Sequence, residues 1–232
     1  MKKKPFKRIL CVFIAAVMLG SVFASTAAAA TKCACGHSPV VMISGFGATV
    51  LAEKQEDGSL KRVFPPDTKE ILKLLGVNAP DLITGIIKLI AQKGTDGIEK
   101  PMREIITSIV EPLRMNDDGT SFYDIVPILS SAKDTSLEAF TKNGQLDLVP
   151  YTGSEFLDME DEIGDDHVFN FLYDWRLSHA DVAAQLHDYL AEVCSLTGHD
   201  KVSVYSISQG CLLLGVYMYE YPDDNYIDRA VF

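Results

Sequence analysis

The chain has 232 residues, 47% of them hydrophobic, with 32 acidic against 21 basic side chains and a formal charge of −11. That length suits one ordinary domain with a buried core. The acid excess argues against a nucleic-acid partner and against adsorption to anionic lipid by charge alone.

Residues 1–30 open with Lys2, Lys3, Lys4, Lys7 and Arg8, run through the apolar stretch ILCVFIAAVMLGSVFA and end in STAAAA. A basic start, a short apolar middle and a small-residue end predict a bacterial-type secretory signal cleaved near Ala30, and so a secreted or extracytoplasmic chain. The alternative is an uncleaved membrane anchor, for which the apolar run is short. Cleavage removes five cations and no acids, leaving 16 basic against 32 acidic residues and a charge of −16. No low-complexity tract or repeat follows.

Four cysteines remain, Cys33, Cys35, Cys194 and Cys211, which allow three complete pairings in an oxidising compartment. Cys33 and Cys35 are too close to pair without strain, so a bridge from one of them to Cys194 is the pairing to look for. Cys211 reads as a small buried apolar residue. Cys33, Cys35 and His37 resemble half of a metal site, but no second ligand cluster is in view along the sequence. The expectation is therefore no metal and no cofactor.

Ser38 to Leu51, SPVVMISGFGATVL, reads as a buried strand over Val40, Val41, Met42 and Ile43 that breaks into the glycine-rich turn Ser44-Gly45-Phe46-Gly47. From Ala52 to about Asp166 the strand rhythm is lost. Pro65 and Pro66 end an extended piece, and Thr68 to Leu75, Asp81 to Lys93 and Met102 to Val110 read as short helices broken by Gly76, Pro80, Gly94 and Pro101. Leu82, Ile83, Ile86, Ile87, Leu89 and Ile90 are apolar over more than one helical face. They form either the core of a helical insertion or a cap over an apolar cleft that makes a peripheral membrane contact.

Val168 to Arg176, VFNFLYDWR, restores a strand. A helix follows, capped by Ser178 with Asp181 three residues on, buried along Val182, Leu186, Leu190 and Val193 and stopped by Gly198. The next strand, Val202 to Ile207, runs into Ser206-Ile207-Ser208-Gln209-Gly210 and a second helix that stops before Pro222; Tyr226 to Phe232 begins a further strand. The pentapeptide fits the nucleophile-elbow pattern G-x-S-x-G except that Ser206 replaces the first glycine. Residues two before and two after the serine must be small because strand and helix approach closely there. A serine on such a turn, with backbone N–H groups at the helix start, is suited to attack an ester carbonyl and to hold the resulting oxyanion.

The blocks SPVVMISGFGATVL and FLYDWRLS, followed by a strand and a serine elbow, resemble the lecithin:cholesterol acyltransferase family, which includes phospholipid:diacylglycerol acyltransferases and lysosomal phospholipase A2-type enzymes. The similarity covers about Pro39 to Phe232 and is weakest across the insertion. It implies an α/β-hydrolase-type fold, a mostly parallel sheet with helices on both faces and a helical cap. It also implies transfer of an acyl group from a glycerolipid to water or an alcohol. Ser208 then matches the nucleophile, and the backbone N–H groups of Phe46 and Gln209 match the oxyanion hole. Asp174, Trp175 and Arg176 match a structural block in which Asp174 and Arg176 pair over the packed Trp175.

Two departures stand out. The family usually has His-Ser at the elbow where this chain has Ile207 and Ser208. The fold orders its triad as serine, acid, histidine, yet His37, His167, His179, His187 and His199 all precede Ser208. The expectation is thus a signal segment 1–30, an incomplete α/β core of 31–51 and 167–232, and a helical cap or lid of 52–166, with the later strands and the triad acid and histidine beyond Phe232. On this reading the chain is the N-terminal part of an exported serine acyl hydrolase or acyltransferase of lipid esters. The alternative is a non-catalytic exported lipid- or partner-binding domain of the same fold.

Overall fold

The computed structural model describes residues 33–90, 96–150 and 159–232. The expected signal segment 1–30 lies outside them, as does the expected helix end at Lys93. The main sheet has four parallel strands, β1 (Val40–Ile43), β5 (Val168–Phe171), β6 (Val202–Ser206) and β7 (Ile227–Val231), in the order β5-β1-β6-β7. β1 is central, with Val41 opposite Phe169 on one side and Val204 on the other. Burial on both faces explains why β1 reads as a continuous apolar run; β5 is as fully buried and is apolar but for Asn170.

Side chains alternate between two core layers. Val41, Ile43, Phe169, Phe171, Val202 and Val204 face the helices α5 (His179–Thr197) and α6 (Gln209–Glu220). Met42 and Val168 face Leu137 and Phe140 of the short helix α3 (Leu137–Asn143), which the single turn α4 (Glu160–Ile163) follows in the chain. Helices therefore cover both faces, as expected of a mixed α/β fold. The predicted buried stripe of α5 is present, since Val182, Leu186, Leu190 and Val193 are all inaccessible to solvent, and Gly198 ends the helix at φ 70°. Ser178 occupies the cap position but its side chain makes no cap bond; α5 is held by its apolar face instead.

The span 52–166 departs from a purely helical cap. It contributes a three-stranded antiparallel sheet in the order β3-β2-β4, from β2 (Leu51–Lys54), β3 (Leu60–Phe64) and β4 (Ile125–Pro127). Leu51, Val63 and Ile125 join the same core layer as the main sheet. Further on, the Thr135 hydroxyl lies 2.7 Å from the Tyr189 hydroxyl, and Glu192 accepts from the Ala132 N–H at 2.9 Å, fastening the insertion to α5. Cys33–Phe232 accordingly forms one compact unit.

Two of the expected short helices are one continuous helix, α1 (Thr68–Ile90), with Pro80 inside it. Asp67 Oδ1 caps it by accepting the Glu70 N–H at 2.8 Å. Pro80 has no N–H for the carbonyl of Gly76. Gly76 itself is exposed, so the missing bond falls on the solvent side of the helix rather than in a core. α1 packs beside α2 (Asp96–Val110). The hairpin does not bury its apolar surplus: Leu72, Val77, Ile83, Ile86, Ile87, Met102 and Ile106 are all exposed. The core-packing account is thereby corrected for Ile83, Ile86 and Ile87, because two helices touching along one stripe leave their other apolar faces uncovered. No helix among the described residues is long and apolar enough to cross a membrane.

Behind α6, Asp224 ties three elements together. Its Oδ2 accepts from the Tyr217 hydroxyl and lies 2.9 Å from His187 Nδ1, and its Oδ1 accepts the N–H groups of Asn225 at 2.7 Å and Tyr226 at 3.3 Å. Burial pushes the carboxyl up, but the hydrogen bonds from Tyr217, His187 and the backbone outweigh it and hold the group below its ordinary value of 3.8. A carboxyl depressed in the folded state stabilises above its unfolded value and loses that contribution as pH falls through the folded one. Asp224→Asn should therefore melt below wild type at neutral pH, with the two Tm curves converging in acid. Parallel curves from pH 7 to acid would overturn this role.

Candidate active site at the strand to helix elbow

The sheet delivers β6 to a sharp turn at its C-terminal edge. The Ile207 N–H still donates to the Ile43 carbonyl at 3.0 Å, extending the pairing with β1. The chain then reverses at Ser208, which has φ 55° and ψ −118° and is the only non-glycine residue with positive φ among the described residues. A β-carbon at that φ is strained, which costs on the order of 1–3 kcal/mol and persists only where surrounding structure imposes it. The imposing contacts are the Gly210 N–H on the Ile207 carbonyl at 2.9 Å and the Cys211 N–H on the Ser208 carbonyl at 3.0 Å. Ser208 is exposed at the start of α6.

The small residues of the elbow are needed, though for reasons the sequence pattern only partly conveys. A β-carbon on Gly210 would stand 2.2 Å from the Ile43 carbonyl oxygen, so the close approach is to the end of β1 rather than to Ser206. Ser206 is buried, and its hydroxyl donates to the Val231 carbonyl at 2.9 Å. A hydroxyl thus sits where the pattern has glycine, and it reaches the neighbouring strand. Cys211 is half-buried against Ser206, its thiol donating to the Ser206 carbonyl at 3.4 Å.

The turn after β1 meets the elbow directly. A β-carbon on Gly45 would lie 2.9 Å from Ser208 Cβ and 3.3 Å from Ser208 Oγ, so only glycine lets this loop lie against the serine. The Ala48 N–H closes the turn onto the Gly45 carbonyl at 3.3 Å, and Gly47 has φ 72°. Tyr173 anchors the loop from below, donating its hydroxyl to the Ser44 carbonyl at 2.8 Å and its N–H to Thr49 Oγ1 at 3.2 Å. Burial pushes the Tyr173 phenol upward, with the charge of Cys211 adding to it. Phe46 and Gln209, the expected oxyanion donors, flank this junction in sequence. Among the described residues neither backbone N–H has an acceptor.

Asp174, Trp175 and Arg176 form the adjoining wall. Arg176 grips Asp174 through two parallel bonds, Nε to Oδ1 at 2.9 Å and Nη2 to Oδ2 at 2.6 Å, with both side chains almost wholly buried. Arg176 Nη2 also reaches the Ser121 hydroxyl at 2.9 Å, so the pair pins the insertion as well as its own loop. Removing one partner of such a buried pair typically costs about 3–5 kcal/mol. Trp175 packs edge-on between Phe46, at 4.3 Å between ring centres, and Phe64, at 5.2 Å. Its carbonyl accepts from Gln209 Nε2 at 2.9 Å. Phe64, Gly45, Ser121 and Tyr173 thus serve the site although sequence reasoning gave them no role. Only Gly45 carried a signal, in the glycine spacing of the turn.

The structure brings no histidine onto Ser208 among the described contacts, and Ser208 Oγ has no hydrogen-bond partner among the described residues. His187 is engaged by Asp224, which follows the 12-residue helix that Ser208 precedes; at about 1.5 Å per residue that helix is roughly 18 Å long. His167 and His199 precede the first residues of β5 and β6 and so lie at the opposite edge of the sheet from the elbow. His179 opens α5 with its Nε2 enclosed and unpartnered. All four cysteines are free thiols, so the bridge to Cys194 is not formed, and burial pushes the Cys194 thiol up to about 11. The ground for expecting no metal also fails: a second pair of ligands does converge on Cys33 and Cys35.

No protein-family model, curated protein or solved structure matches the chain.

The two glycines give a direct test of the elbow. Gly210→Ala forces a β-carbon into the Ile43 carbonyl and should cost about 1–3 kcal/mol or more, read as a fall of several degrees in Tm. Ser206→Gly should be tolerated with a small loss from the missing bond to Val231, whereas Ser206→Leu should unfold the junction. Thermal stability unchanged in both Gly210→Ala and Ser206→Leu would contradict the close approach.

Proposed function

We propose that the chain carries the nucleophile of an exported lipid-ester acyl hydrolase or acyltransferase of the α/β-hydrolase type, akin to the lecithin:cholesterol acyltransferase family. The observation that carries this reading is Ser208, exposed at φ 55° on a strand-to-helix turn with Gly45 packed against its hydroxyl. A structural turn has no need of a strained serine at its tip, whereas an attacking one does.

In the proposed reaction Ser208 Oγ adds to the ester carbonyl carbon and yields its proton to a general base. The N–H groups of Phe46 and Gln209 receive the negative charge on the carbonyl oxygen. Collapse expels the alcohol and leaves an acyl-enzyme, which water or a second alcohol resolves by the same addition and collapse. We place the base and its carboxylate partner C-terminal to Phe232, following the chain order of serine, acid and histidine in this fold. Asp174 is committed to Arg176 and Asp224 to His187 and Tyr217, so neither serves as that carboxylate. Substrate lipid would approach over the exposed apolar face of α1 and α2; Phe64, which packs on Trp175, ends the strand that leads into α1. A second reading, a non-catalytic exported lipid- or partner-binding domain of the same fold, draws support from the unpartnered Ser208 hydroxyl and, separately, from the exposed apolar residues of α1 and α2.

Hydrolysis of p-nitrophenyl butyrate and labelling by a fluorophosphonate, each compared with Ser208→Ala, separate these readings. The 232-residue chain should turn over esters on the order of 10⁴-fold more slowly than a complete triad enzyme. A protein expressed from the complete reading frame should label at Ser208. Ordinary turnover by the 232-residue chain would overturn the placement of the base, and no Ser208 labelling in the longer protein would overturn the enzyme.

Lipid contact is tested separately by hydrogen exchange with and without zwitterionic phospholipid micelles. Amides of α1 and α2 should gain protection while β1, β5 and β6 stay unchanged. Equal exchange in the hairpin would remove the lipid-facing role.

A further inference from the structure

At the edge of the sheet opposite Ser208, three distant pieces of chain converge. Cys33 and Cys35 precede β1, His167 immediately precedes β5, and His199 closes the turn from α5 into β6. Parallel strands with the order β5-β1-β6 bring their starting residues side by side, so the segments meet although 132 residues separate Cys35 from His167 and 164 separate it from His199. One ligand atom from each of the four residues lies within 4.8 Å of every other.

We propose that Cys33, Cys35, His167 and His199 bind one zinc(II) ion in a closed Cys2His2 site that clamps the start of the domain to the sheet. The distances from sulfur to nitrogen are 3.7 Å for Cys33 to His167, 3.8 Å for Cys35 to His167 and 3.4 Å for Cys35 to His199. Around a tetrahedral zinc, with bonds of about 2.3 Å to sulfur and about 2.0–2.1 Å to nitrogen, the same separation is about 3.6 Å. Both imidazoles present Nε2, and their rings stand at 88° to each other, 5.3 Å apart, as two ligands converging on one point require. His167 has its other nitrogen 2.8 Å from Asp166 Oδ1, which orients the ring in the manner of carboxylate-supported metal ligands. The Cys35 N–H points at Cys33 Sγ from 3.4 Å, a donor suited to a thiolate.

The donor set selects the ion. Two thiolates and two imidazoles at tetrahedral spacing suit zinc and repel magnesium or calcium, which require oxygen. Binding displaces one proton from each thiol, and the two thiolate charges cancel those of the ion, so the finished site is neutral. Four protein ligands leave no open position. The site is therefore structural, in keeping with its place at the edge away from the elbow. The segment from Cys33 to Pro39 contains no helix or strand. It is otherwise held by the Cys33 N–H on the Gly198 carbonyl at 3.2 Å and the Ser203 N–H on the Pro39 carbonyl at 2.8 Å. The ion would add a covalent-strength tie among β1, β5 and β6 where their hydrogen-bond ladder begins.

The full chain, purified without exposure to air or chelator, should carry one equivalent of zinc by elemental analysis. Cobalt(II) substitution should give the intense visible bands of a tetrahedral site with two thiolates. Cys35→Ser and His199→Ala should lose the metal and lower Tm, while Cys211→Ser keeps it. His199→Cys should still fold around the ion and shift the cobalt bands toward those of three thiolates, and Asp166→Asn should weaken zinc affinity about 10–100-fold. A chain that stays metal-free when refolded with equimolar zinc, or one isolated with a Cys33–Cys35 disulfide that reduction in the presence of zinc does not replace by metal, would overturn the site. So would zinc retained undiminished by the double variant Cys35→Ser/His199→Ala.

Discussion

The geometry of this protein depends on one close approach, that of the end of β1 to the turn after β6. The Ile43 carbonyl accepts the Ile207 N–H and at the same time lies where a side chain on Gly210 would have to go. These two demands set the height and direction at which α6 leaves the sheet. Strain at Ser208 follows, since the backbone must reverse within a residue to satisfy both. The same placement brings Gly45 under the serine, with Tyr173 and Trp175 bracing the loop that carries it.

Much of this was legible because it is local. Period-two apolar runs, glycine-rich turns and the small residues of the elbow encode β1, β6 and Ser208 within a few positions of each other. The pairing of Asp174 with Arg176 also follows from adjacency in sequence and was expected. The antiparallel strands of the insertion were not legible: β2 and β3, LAEK and LKRVF, are short and charged at their exposed ends, so alternation never builds up. Breaker residues misled in the other direction. Gly76 and Pro80 read as a stop, yet α1 runs through both while packed against α2, and proline's missing N–H falls beside an exposed glycine.

The convergence of His167 and His199 on Cys33 and Cys35 belongs to a third kind of feature, fixed by topology alone. No spacing rule links residues so far apart. The available clue was positional: each histidine sits one to three residues ahead of a strand expected in the same parallel sheet as the strand that follows the cysteines. Neighbouring parallel strands share a starting edge, so residues ahead of them become neighbours once strand order is known. Sequence reasoning supplied the strands but not their order. The exposed apolar face of α1 and α2 is similar, because periodicity reveals that a face is apolar but not whether a partner covers it.

The hydroxyl of Ser206 has an effect beyond its size. By donating to the Val231 carbonyl it ties the last residue of β6, two before Ser208, to the last residue of β7. A glycine there would leave the outer strand to its backbone ladder and the packing of Ile227 and Ala230. With serine, opening of β7 also takes a hydrogen bond from the backbone two residues before Ser208, so local opening of the sheet edge and of the reactive turn are coupled through that bond.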